Sequence, residues 1–413
     1  MWEVVVYATA RLSPRAACLI LGLDGQLVMS GHCPVLIVGG GPVGLLLACL
    51  LGERGITVRV LEREGQPSPH SRAIGIHPPS LELMARIGLA EELVEQGVVV
   101  RRGHAIARGR RLGTLSFETC PPPYRFVVSL PQARTERLLA RRLERIDAAA
   151  LRRGAEVTEL DLSGERPEVT FLAEGRTHHA AAELVLGCDG KRSVVRRAAG
   201  IEFEGRAYRD AFVMGDFDDD TAHGPDAAIY LHPEGLIECF PLPGGRRRWV
   251  LAVDDARPAT DRAEITGLVR RRLGHDLGRT RDHWVSAFGV EHRLARAMQR
   301  GRVALAGDAA HVVSPLGGQG MNLGWLGAGL LADAVERVLR QGAPPTVALA
   351  GYERRIRAMA RRATRRAELN MALGRRPHHP ALRDGIVSAL LALPTRRLLA
   401  RLFTMRGLER WPL

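Results

Sequence analysis

The hydrophobic pattern near residue 35 predicts a strand, a tight turn and a helix in direct succession. Residues 35–38 are an apolar run, residues 39–44 are rich in glycine, and residues 45–51 are apolar again. A short apolar run that ends in glycines is typical of a buried strand, and a longer one of a buried helix. A second predicted strand covers residues 57–61 and ends at Glu62. The pattern therefore predicts a βαβ unit with a glycine turn at the start of its helix.

This glycine turn has the chemistry that a dinucleotide requires. Gly39 permits the tight turn, Gly41 lets the backbone approach the pyrophosphate, and Gly44 lets the helix pack closely on the strand. The N-terminus of the helix offers free N–H groups and the positive end of its dipole to the phosphates. Glu62 follows Gly41 by 21 residues, where a carboxylate is placed to accept hydrogen bonds from the adenosine ribose. The alternative is an ordinary βαβ turn with an incidental acidic residue.

A later stretch indicates which dinucleotide is bound. Residues 302–311 predict a buried strand that carries Asp308 to its exposed end, where a carboxylate can bind a ribityl hydroxyl. Residues 315–322 follow as a glycine-rich loop before a long helix, predicted over residues 323–340. Backbone N–H groups of such a loop can approach a flat ring, and the helix N-terminus faces the negative charge of a reduced flavin. Because a nicotinamide dehydrogenase needs no second site of this kind, the pattern favours FAD.

A third stretch, Cys188-Asp189-Gly190, lies between the other two. Asp189 has a purely structural alternative, which is to cap a helix that begins near Ser193. With these three stretches in this order, the chain closely resembles the single-component flavoprotein aromatic hydroxylases, the p-hydroxybenzoate hydroxylase class of FAD monooxygenases. The resemblance covers about residues 33–345. Its most specific part is residues 188–196, which in that family serve both FAD and the nicotinamide dinucleotide.

The resemblance implies a set of cofactor contacts. Arg72 matches the family arginine that lies against the FAD pyrophosphate. Gln132, before a helix predicted over residues 135–143, matches a flavin-contacting position. His311 is expected to be a structural histidine near the cofactor, and no proton-transfer residue is predicted. The complete set of implied cofactor-binding residues is Gly39, Gly41, Val43, Gly44, Glu62, Arg63, Arg72, Gln132, Asp189, Asp308, Pro315, Gly318, Gly320, Met321 and Asn322.

The resemblance also implies the architecture. We expect an α/β fold with a Rossmann-like FAD-binding domain of the GR2, or p-hydroxybenzoate hydroxylase, type, an inserted mixed β-sheet for the substrate, and C-terminal helices. The FAD-binding domain would take residues 31–200 and 284–345, the substrate sheet residues 201–283, and the helical segment residues 346–413. Residues 1–30 are expected to be an N-terminal extension, since Met29 would be a natural start for the family.

Within the expected substrate sheet, alternating apolar residues and glycine turns predict strands at residues 228–232, 236–242 and 249–253. Further along, residues 386–403 predict basic amphipathic helices that pack back on the FAD lobe, with contact to a membrane surface or a partner as the alternative. The candidate pocket residues of the sheet are Tyr208, Phe212, Tyr230, His232 and Phe240.

The function implied by the resemblance is hydroxylation of an aromatic or polyketide-like small molecule. NADPH or NADH would reduce FAD, and a C4a-hydroperoxide formed from reduced flavin and O2 would transfer one oxygen atom to the substrate. Two alternatives stay open. One is a flavin-dependent reductase or dehydrogenase of an unsaturated small molecule, and the other is a catalytically silent flavoprotein that binds a ligand or partner.

Composition and charge argue against several other classes of protein. The chain has 413 residues, of which 46% are hydrophobic, and no apolar run reaches the length of about 18 residues that a membrane span requires. Its six cysteines have neither metal-site nor disulfide-framework spacing, which favours reduced thiols, no bound metal and a cytoplasmic location. The formal net charge is +14, but aromatic residues are not interleaved with the arginines, so no nucleic-acid partner is predicted. We expect a monomer or a homodimer.

Overall fold

The computed structural model describes residues 33–69, 73–254, 260–392 and 394–408. It also gives the backbone of two short antiparallel strands, β1 (Ile20–Leu21) and β2 (Leu27–Val28). Apart from these strands, the predicted extension of residues 1–30 lies outside the described part of the chain. Arg72, a predicted pyrophosphate ligand, lies outside it as well.

The first large sheet is the predicted Rossmann-like layer. Its parallel strands are, in order across the sheet, β10 (Leu151–Arg153), β4 (Val58–Glu62), β3 (Cys33–Val38), β13 (Arg176–Gly187) and β20 (Val303–Leu305). β3 is an apolar run and β4 is apolar except for Arg59 and Glu62, and both strands are buried almost throughout, as a parallel sheet covered on both faces requires. Antiparallel strands extend this sheet: β11 (Ala155–Asp161), β12 (Glu168–Ala173) and β19 (Gln299–Arg300).

Helices cover the first sheet and continue into the C-terminal part. Those before residue 200 are α1 (Pro42–Glu53), α2 (Pro78–Ala85), α3 (Ala90–Gln96), α4 (Gln132–Ile146) and α5 (Val194–Ala198). The later ones are α6 (Arg262–Leu273), α7 (Gln319–Gln341), α8 (Pro345–Gly374), α9 (Pro380–Ala392) and α10 (Arg396–Phe403). Helix α7 packs on both α1 and α8, so the late helices are part of the same core as the first βαβ unit.

The second large sheet is mixed, as predicted for the substrate side. Its strands are, in order, β21 (His311–Val312), β18 (Asp282–Ala295), β14 (Phe203–Asp218), β17 (Arg246–Val253), β16 (Gly235–Leu242), β15 (Ala227–His232), β7 (Arg102–Ala107) and β8 (Arg110–Ser116). The predicted strands at 228–232, 236–242 and 249–253 are confirmed as β15, β16 and β17. A third, small sheet contains β5 (Gly75–Ile76), β9 (Val127–Ser129) and β6 (Val98–Val100).

The range of residues 201–283 predicted for this second sheet is too narrow. The β7–β8 hairpin joins the sheet from within the stretch assigned to the FAD-binding domain, because β7 pairs in parallel with β15. At the other end, β18 stays paired with β14 as far as Ala295. Pairing between segments so distant in sequence leaves no mark in the local hydrophobic pattern.

Side chains alternate between the two faces of the second sheet. On one face, Val213, Trp249 and Leu251 pack with Ile265 of α6 in a closed apolar core. The opposite face turns toward α8, α9 and the first sheet. This alternation is what leaves one wall of the sheet available to line a site.

Tyr352 of α8 fixes the C-terminal helices to the first sheet. Its side chain is buried, and its hydroxyl donates a hydrogen bond to the carbonyl oxygen of Leu305, at the end of β20, over 2.6 Å. The turn that carries Asp308 begins two residues later. A single buried contact therefore joins α8 to the strand that precedes a predicted cofactor residue.

We expect Tyr352→Phe to lower the free energy of unfolding by about 0.5–1.5 kcal/mol, because it removes this buried hydrogen bond while keeping the ring. Urea denaturation measures the change. Tyr124→Phe is the matched control, since the half-buried Tyr124 hydroxyl has no hydrogen-bond partner in the described part of the chain. Equal losses in the two variants would contradict the role of Tyr352.

Candidate functional site

The turn between β3 and α1 is shaped by glycines that no other residue can replace. Gly39 has a φ of +104°, and a Cβ atom there would lie 2.4 Å from the carbonyl oxygen of Cys188. A Cβ atom on Gly44 would lie 2.0 Å from the carbonyl oxygen of Gly39. The close packing predicted for Gly44 is therefore confirmed. The Gly39 turn also lies directly against the middle motif, Cys188-Asp189-Gly190.

Gly41 is different, because no atom of the described residues lies within 4 Å of the Cβ position that a larger residue would occupy there. The residue lines a large cavity and precedes the first turn of α1, which has no side-chain cap. The N–H groups at this helix end therefore face open space and present the positive end of the helix dipole. This is the geometry that an anionic pyrophosphate needs.

Val43 of the glycine turn after β3 packs against the last motif, which is formed by the Asp308 turn and the start of α7. A Cβ atom on Gly307 would lie 3.0 Å from the Val43 side chain, and one on Gly324 would lie 2.6 Å from it. Glycine at both positions lets Val43 reach the backbone of the Asp308 turn and of α7. Val43 also lines the cavity, and its contact with the cofactor stays a prediction.

Glu62 supports the glycine turn from the end of β4. Its carboxylate accepts hydrogen bonds from the backbone N–H groups of Gly40, at 2.6 Å, and of Glu64, at 2.9 Å. Arg63 is mostly exposed and forms an ion pair with Glu64 at 3.1 Å. Glu62 and Arg63 both line the cavity. Their contacts to the adenosine end of a cofactor stay a prediction.

Asp189 caps α5, so the structural alternative for this residue is confirmed. Its carboxylate accepts hydrogen bonds from the Ser193 hydroxyl at 2.6 Å and from the N–H groups of Val194 and Val195 at 2.7 and 3.2 Å. The Cys188–Gly190 backbone nevertheless lines the cavity. A cofactor contact from Asp189 stays a prediction, but its side chain is already well bonded.

Arg196 joins the middle motif to the last one. Its guanidinium donates hydrogen bonds to the carbonyl oxygens of Ala309, at 3.0 Å, and Lys191, at 2.8 Å. The same group lies 3.8 Å from the centre of the Phe203 ring. Two hydrogen bonds and the contact with an aromatic ring hold the guanidinium in place, so that Arg196 forms a rigid link between the two motifs.

Asp308 faces the cavity from the turn after β20. Its side chain is accessible from within the cavity, yet protein atoms enclose it, and this burial raises its pKa to about 6. The positive charge of Lys191 opposes the shift, and the negative charge of Glu291 adds to it. At neutral pH the carboxylate form predominates and can accept a hydrogen bond from a hydroxyl group.

Helix α7 begins at Gln319, four residues earlier than predicted. Gly317 and Gly318 adopt positive φ angles of +82° and +65°, so the chain turns directly before Gln319. Gly320 disfavours a helix by propensity alone, which explains the late predicted start. Gly320, Met321 and Asn322 therefore lie in the first turn of the helix. Because this helix end has no side-chain cap, its N–H groups are available to a ligand.

Asn322 differs from its neighbours because its amide points into the protein. Its Nδ2 donates hydrogen bonds to the carbonyl oxygens of Gly75, at 2.8 Å, and Gly318, at 2.7 Å. Its Oδ1 accepts one from the N–H of His77 at 2.9 Å. The residue is fully buried and holds the turn at Gly318 against the segment before α2. Pro315, Gly318, Gly320 and Met321 do line the cavity.

Gln132 is the first residue of α4, three residues before the predicted helix start. Its side-chain amide donates a hydrogen bond to Glu136 at 2.7 Å, and its N–H bonds to the carbonyl oxygen of Ala73 at 3.0 Å. It lines the cavity, as a flavin-contacting residue must. His311, in contrast, is buried away from the cavity, and burial lowers its pKa to about 4, so its ring is neutral.

One cavity of about 1070 Å³ joins all of these motifs to the second sheet. The motifs of the first sheet form one side. The other is formed by every second residue of neighbouring strands, which include Leu236, Glu238 and Phe240 on β16 and Arg248 and Val250 on β17. The cavity is thus closed by the free face of the mixed sheet.

Only one of the predicted aromatic pocket residues lines this cavity. Phe240 does, whereas the hydroxyl groups of Tyr208 and Tyr230 are bonded to Glu368, at 2.7 Å, and His223, at 2.6 Å. Phe212 stacks on Phe288, and His232 lies beyond the cavity lining. Sequence alternation identified the strands but not which face of each strand would be open.

The C-terminal helices form a wall of the cavity that the sequence did not reveal. Leu391 of α9 and Leu402 and Phe403 of α10 line it. These helices pack back on the protein, as predicted, but on β8 of the second sheet rather than on the FAD sheet. Gly113 of β8 permits this contact, since a Cβ atom there would lie 2.6 Å from the Cβ of Leu391.

The residues present fit FAD. Two uncapped helix ends, those of α1 and α7, border the same cavity. Gly41 leaves room where a phosphate would lie, and Arg63, Lys191 and Arg192 line the cavity with positive charge.

No helix within the described ranges is long and apolar enough to cross a bilayer.

The family model described as FAD binding domain matches residues 32–367 of this chain. The 6-methylpretetramide 4-monooxygenase of Streptomyces rimosus is 36% identical over 324 residues, which are 74% of this chain and 56% of that protein. The 12-dehydrotetracycline 5-monooxygenase/anhydrotetracycline 6-monooxygenase of the same species is 33% identical over 386 residues, 90% of this chain and 76% of that protein. The chain therefore spans little more than half the length of the first of these relatives.

Solved structures show the same fold. The p-nitrophenol 4-monooxygenase of Pseudomonas putida aligns with a TM-score of 0.84 and 25% identity over 92% of this chain and 99% of that one. An aklavinone-11 hydroxylase, solved with FAD and aklavinone, aligns with a TM-score of 0.75 and 26% identity over 86% of this chain and 71% of that one. With the match to the FAD-binding family over most of its length, the chain belongs to the FAD-dependent monooxygenases of the p-hydroxybenzoate hydroxylase class.

Proposed function

We propose that this protein hydroxylates an aromatic, polyketide-like small molecule, with FAD as cofactor and NADPH or NADH and O2 as co-substrates. The continuous cavity carries the proposal. At about 1070 Å³ it exceeds the range of roughly 300–1,000 Å³ that is usual for single small-molecule sites. Because the same cavity reaches from the glycine motifs to the wall of the second sheet, a substrate can lie beside the cofactor. Relatives named for 6-methylpretetramide, for anhydrotetracycline and for p-nitrophenol support a substrate of this kind.

When bound, FAD supplies the redox chemistry, since it can accept a hydride and activate oxygen. The chain itself holds and shields the reacting molecules. The free N–H groups at the start of α7 and the helix dipole favour negative charge at that end of the cavity. Apolar residues of β16, α9 and α10 exclude water from the opposite side, which protects a reactive oxygen species from wasteful decay.

We also infer a cytoplasmic protein that works as a monomer or homodimer. Five cysteines within the described residues, Cys33, Cys49, Cys120, Cys188 and Cys239, are free thiols, which supports a reducing compartment. The basic character of the chain, with a formal net charge of +14, favours the binding of an anionic dinucleotide co-substrate.

Turnover with labelled oxygen tests the proposed reaction. We expect the FAD-loaded protein to oxidise NADPH or NADH faster with a suitable phenol, and to place one atom of labelled O2 in the product. Product mass and released hydrogen peroxide are measured separately. Oxygen-independent reduction of a substrate double bond would instead favour a reductase, and FAD-loaded protein that turns over no aromatic compound would favour a silent binding protein.

Gly41→Ala tests the cofactor site. Gly41 has a φ of −73°, which alanine tolerates, and its side chain would enter open cavity, so the fold should be retained. We expect FAD affinity to fall about tenfold or more, a cost of about 1.4 kcal/mol, because the methyl group occupies the phosphate space. Flavin fluorescence measures binding, and circular dichroism checks folding.

Gly385→Ala is the matched control for Gly41→Ala. Gly385 is exposed on α9, also has open space around its Cβ position, and is remote from the cofactor motifs. This variant should bind FAD like the wild type. If Gly41→Ala kept full FAD affinity, the pyrophosphate would have to lie elsewhere.

A further inference from the structure

Glu238 is an acidic side chain in an otherwise apolar part of the cavity wall. It lies on β16 between Leu236 and Phe240, which line the same face. Its cross-strand neighbours are Ile229 on β15 and Val250 on β17, and both also line the cavity. Only 9% of the residue is exposed, and what is exposed faces the cavity. A carboxyl group is therefore directed into the cavity from a part of the wall whose strand neighbours are apolar.

No hydrogen bond or ion pair to the Glu238 carboxyl is present within the described ranges of the chain. The charged groups on the elements around it have other partners. Arg248 of β17 forms a twofold ion pair with Asp216 at 2.6 and 2.8 Å. His104 of β7 is bonded to Asp226 at 3.0 Å, and Arg366 of α8 is bonded to the Leu402 carbonyl oxygen at 3.5 Å. None of these groups stabilises a negative charge on Glu238 directly.

Burial without a positive partner raises the pKa of Glu238 to about 8. At neutral pH the carboxyl group is therefore mostly protonated. In that form it has one O–H donor that lacks an acceptor among the described residues. An unsatisfied buried donor is costly, and its most direct remedy is an acceptor atom on a ligand in the cavity.

We propose that Glu238 donates a hydrogen bond to a carbonyl or hydroxyl oxygen of the substrate and thereby selects molecules that are uncharged at that position. The proposal rests on the proposed function, because it assumes that an aromatic small molecule occupies this part of the cavity. No bond is broken in this step. The O–H group of Glu238 stays intact, and the substrate oxygen replaces the missing partner.

The proposed donor has a consequence for specificity. An aromatic ketone or phenol gains a hydrogen bond beside apolar side chains, where the local dielectric is low and such a bond is stronger than in water. An aromatic carboxylate at the same place would bring a second acid group next to Glu238, where the lining cation of the neighbouring strand, Arg248, is already paired with Asp216, and would lose affinity. As the pH rises through about 8, Glu238 ionises, and it can then no longer donate. Affinity for an acceptor ligand should therefore fall with rising pH.

Binding of three matched probes to the FAD-loaded protein tests this. Naphthalene lacks an acceptor, 1-tetralone carries one ketone oxygen, and 1-naphthoate carries a charge. At about pH 6.5 we expect 1-tetralone to bind about two- to tenfold tighter than naphthalene, the worth of one hydrogen bond, and 1-naphthoate to bind weakest. At about pH 9.5 the advantage of the ketone should disappear. Isothermal titration calorimetry measures each dissociation constant.

Two variants distinguish hydrogen-bond donation by Glu238 from a merely structural role of this residue. Glu238→Gln keeps a donor that does not ionise, so the ketone preference should persist at both pH values. Glu238→Leu should lose the preference at both. If the wild type shows no ketone preference, fails to bind the ketone at about pH 6.5, or keeps the same preference at about pH 9.5, the proposal is overturned.

A second measurement needs no ligand. The pKa of Glu238 is raised from 4.5 to about 8 on folding, so the folded protein holds a proton that the unfolded chain has lost between these values. The wild type should therefore lose stability relative to Glu238→Gln as the pH rises through this window, with no further change above it. Glu165→Gln, at an exposed residue without a partner in the described part of the chain, is the control and should show no such trend.

The outcomes distinguish this proposal from the proposed function. A protein that holds FAD and hydroxylates phenols, but shows neither the ketone preference nor the pH-dependent stability difference, refutes only the role of Glu238. A protein that fails to bind FAD refutes the proposed function, while the unfolding comparison still decides whether Glu238 is protonated.

Discussion

Close backbone contact between three distant segments is the constraint on which the rest of this structure depends. The Gly39 turn lies against the Cys188 carbonyl group, and Val43 fits against Gly307 and Gly324. A single methyl group at Gly39 or Gly44 would overlap backbone atoms, so these contacts cannot be adjusted by side-chain movement. They bring the ends of β3, β13 and β20 to one edge of the parallel sheet. Ligand sites in open parallel sheets form at this carboxyl edge.

Once that edge is fixed, the second sheet completes the site from the other side. Strand alternation gives it one face for a closed core with α6 and one face that is free to line a cavity. Helices α9 and α10 then cover the β8 end of this face. The side proposed to hold the cofactor is therefore built mainly from backbone groups and glycines, and the facing wall, where we propose that the substrate binds, from side chains. Such a division leaves the cofactor geometry fixed while the wall residues decide which substrate fits.

The sequence predicted the glycine-rich edge of the first sheet well and the cavity wall formed by the second sheet poorly. Gly39, Gly41 and Gly44 each meet a local need, a tight turn or a close approach of the backbone. A local need of this kind is visible in a short sequence motif. The partners of Val43 and Asn322 lie hundreds of residues away, and no local pattern announces them. For the same reason the range predicted for the second sheet, residues 201–283, did not include the β7–β8 hairpin. The early start of α7 was missed because two glycines at positive φ, rather than helix propensity, set it.

Buried polar groups around the cavity fall into two kinds, and the difference indicates what each is for. Asn322, Asp189 and the Arg248–Asp216 pair satisfy one another or the backbone, and so stabilise the frame. The first N–H groups of α7 and the Glu238 carboxyl lack such partners among the described residues, and they border the cavity. Leaving a buried polar group unpaired costs stability. A bound molecule can remove that cost where such a group borders the cavity, so the unpaired groups of the cavity wall, rather than its best-bonded ones, are the candidates for ligand contact.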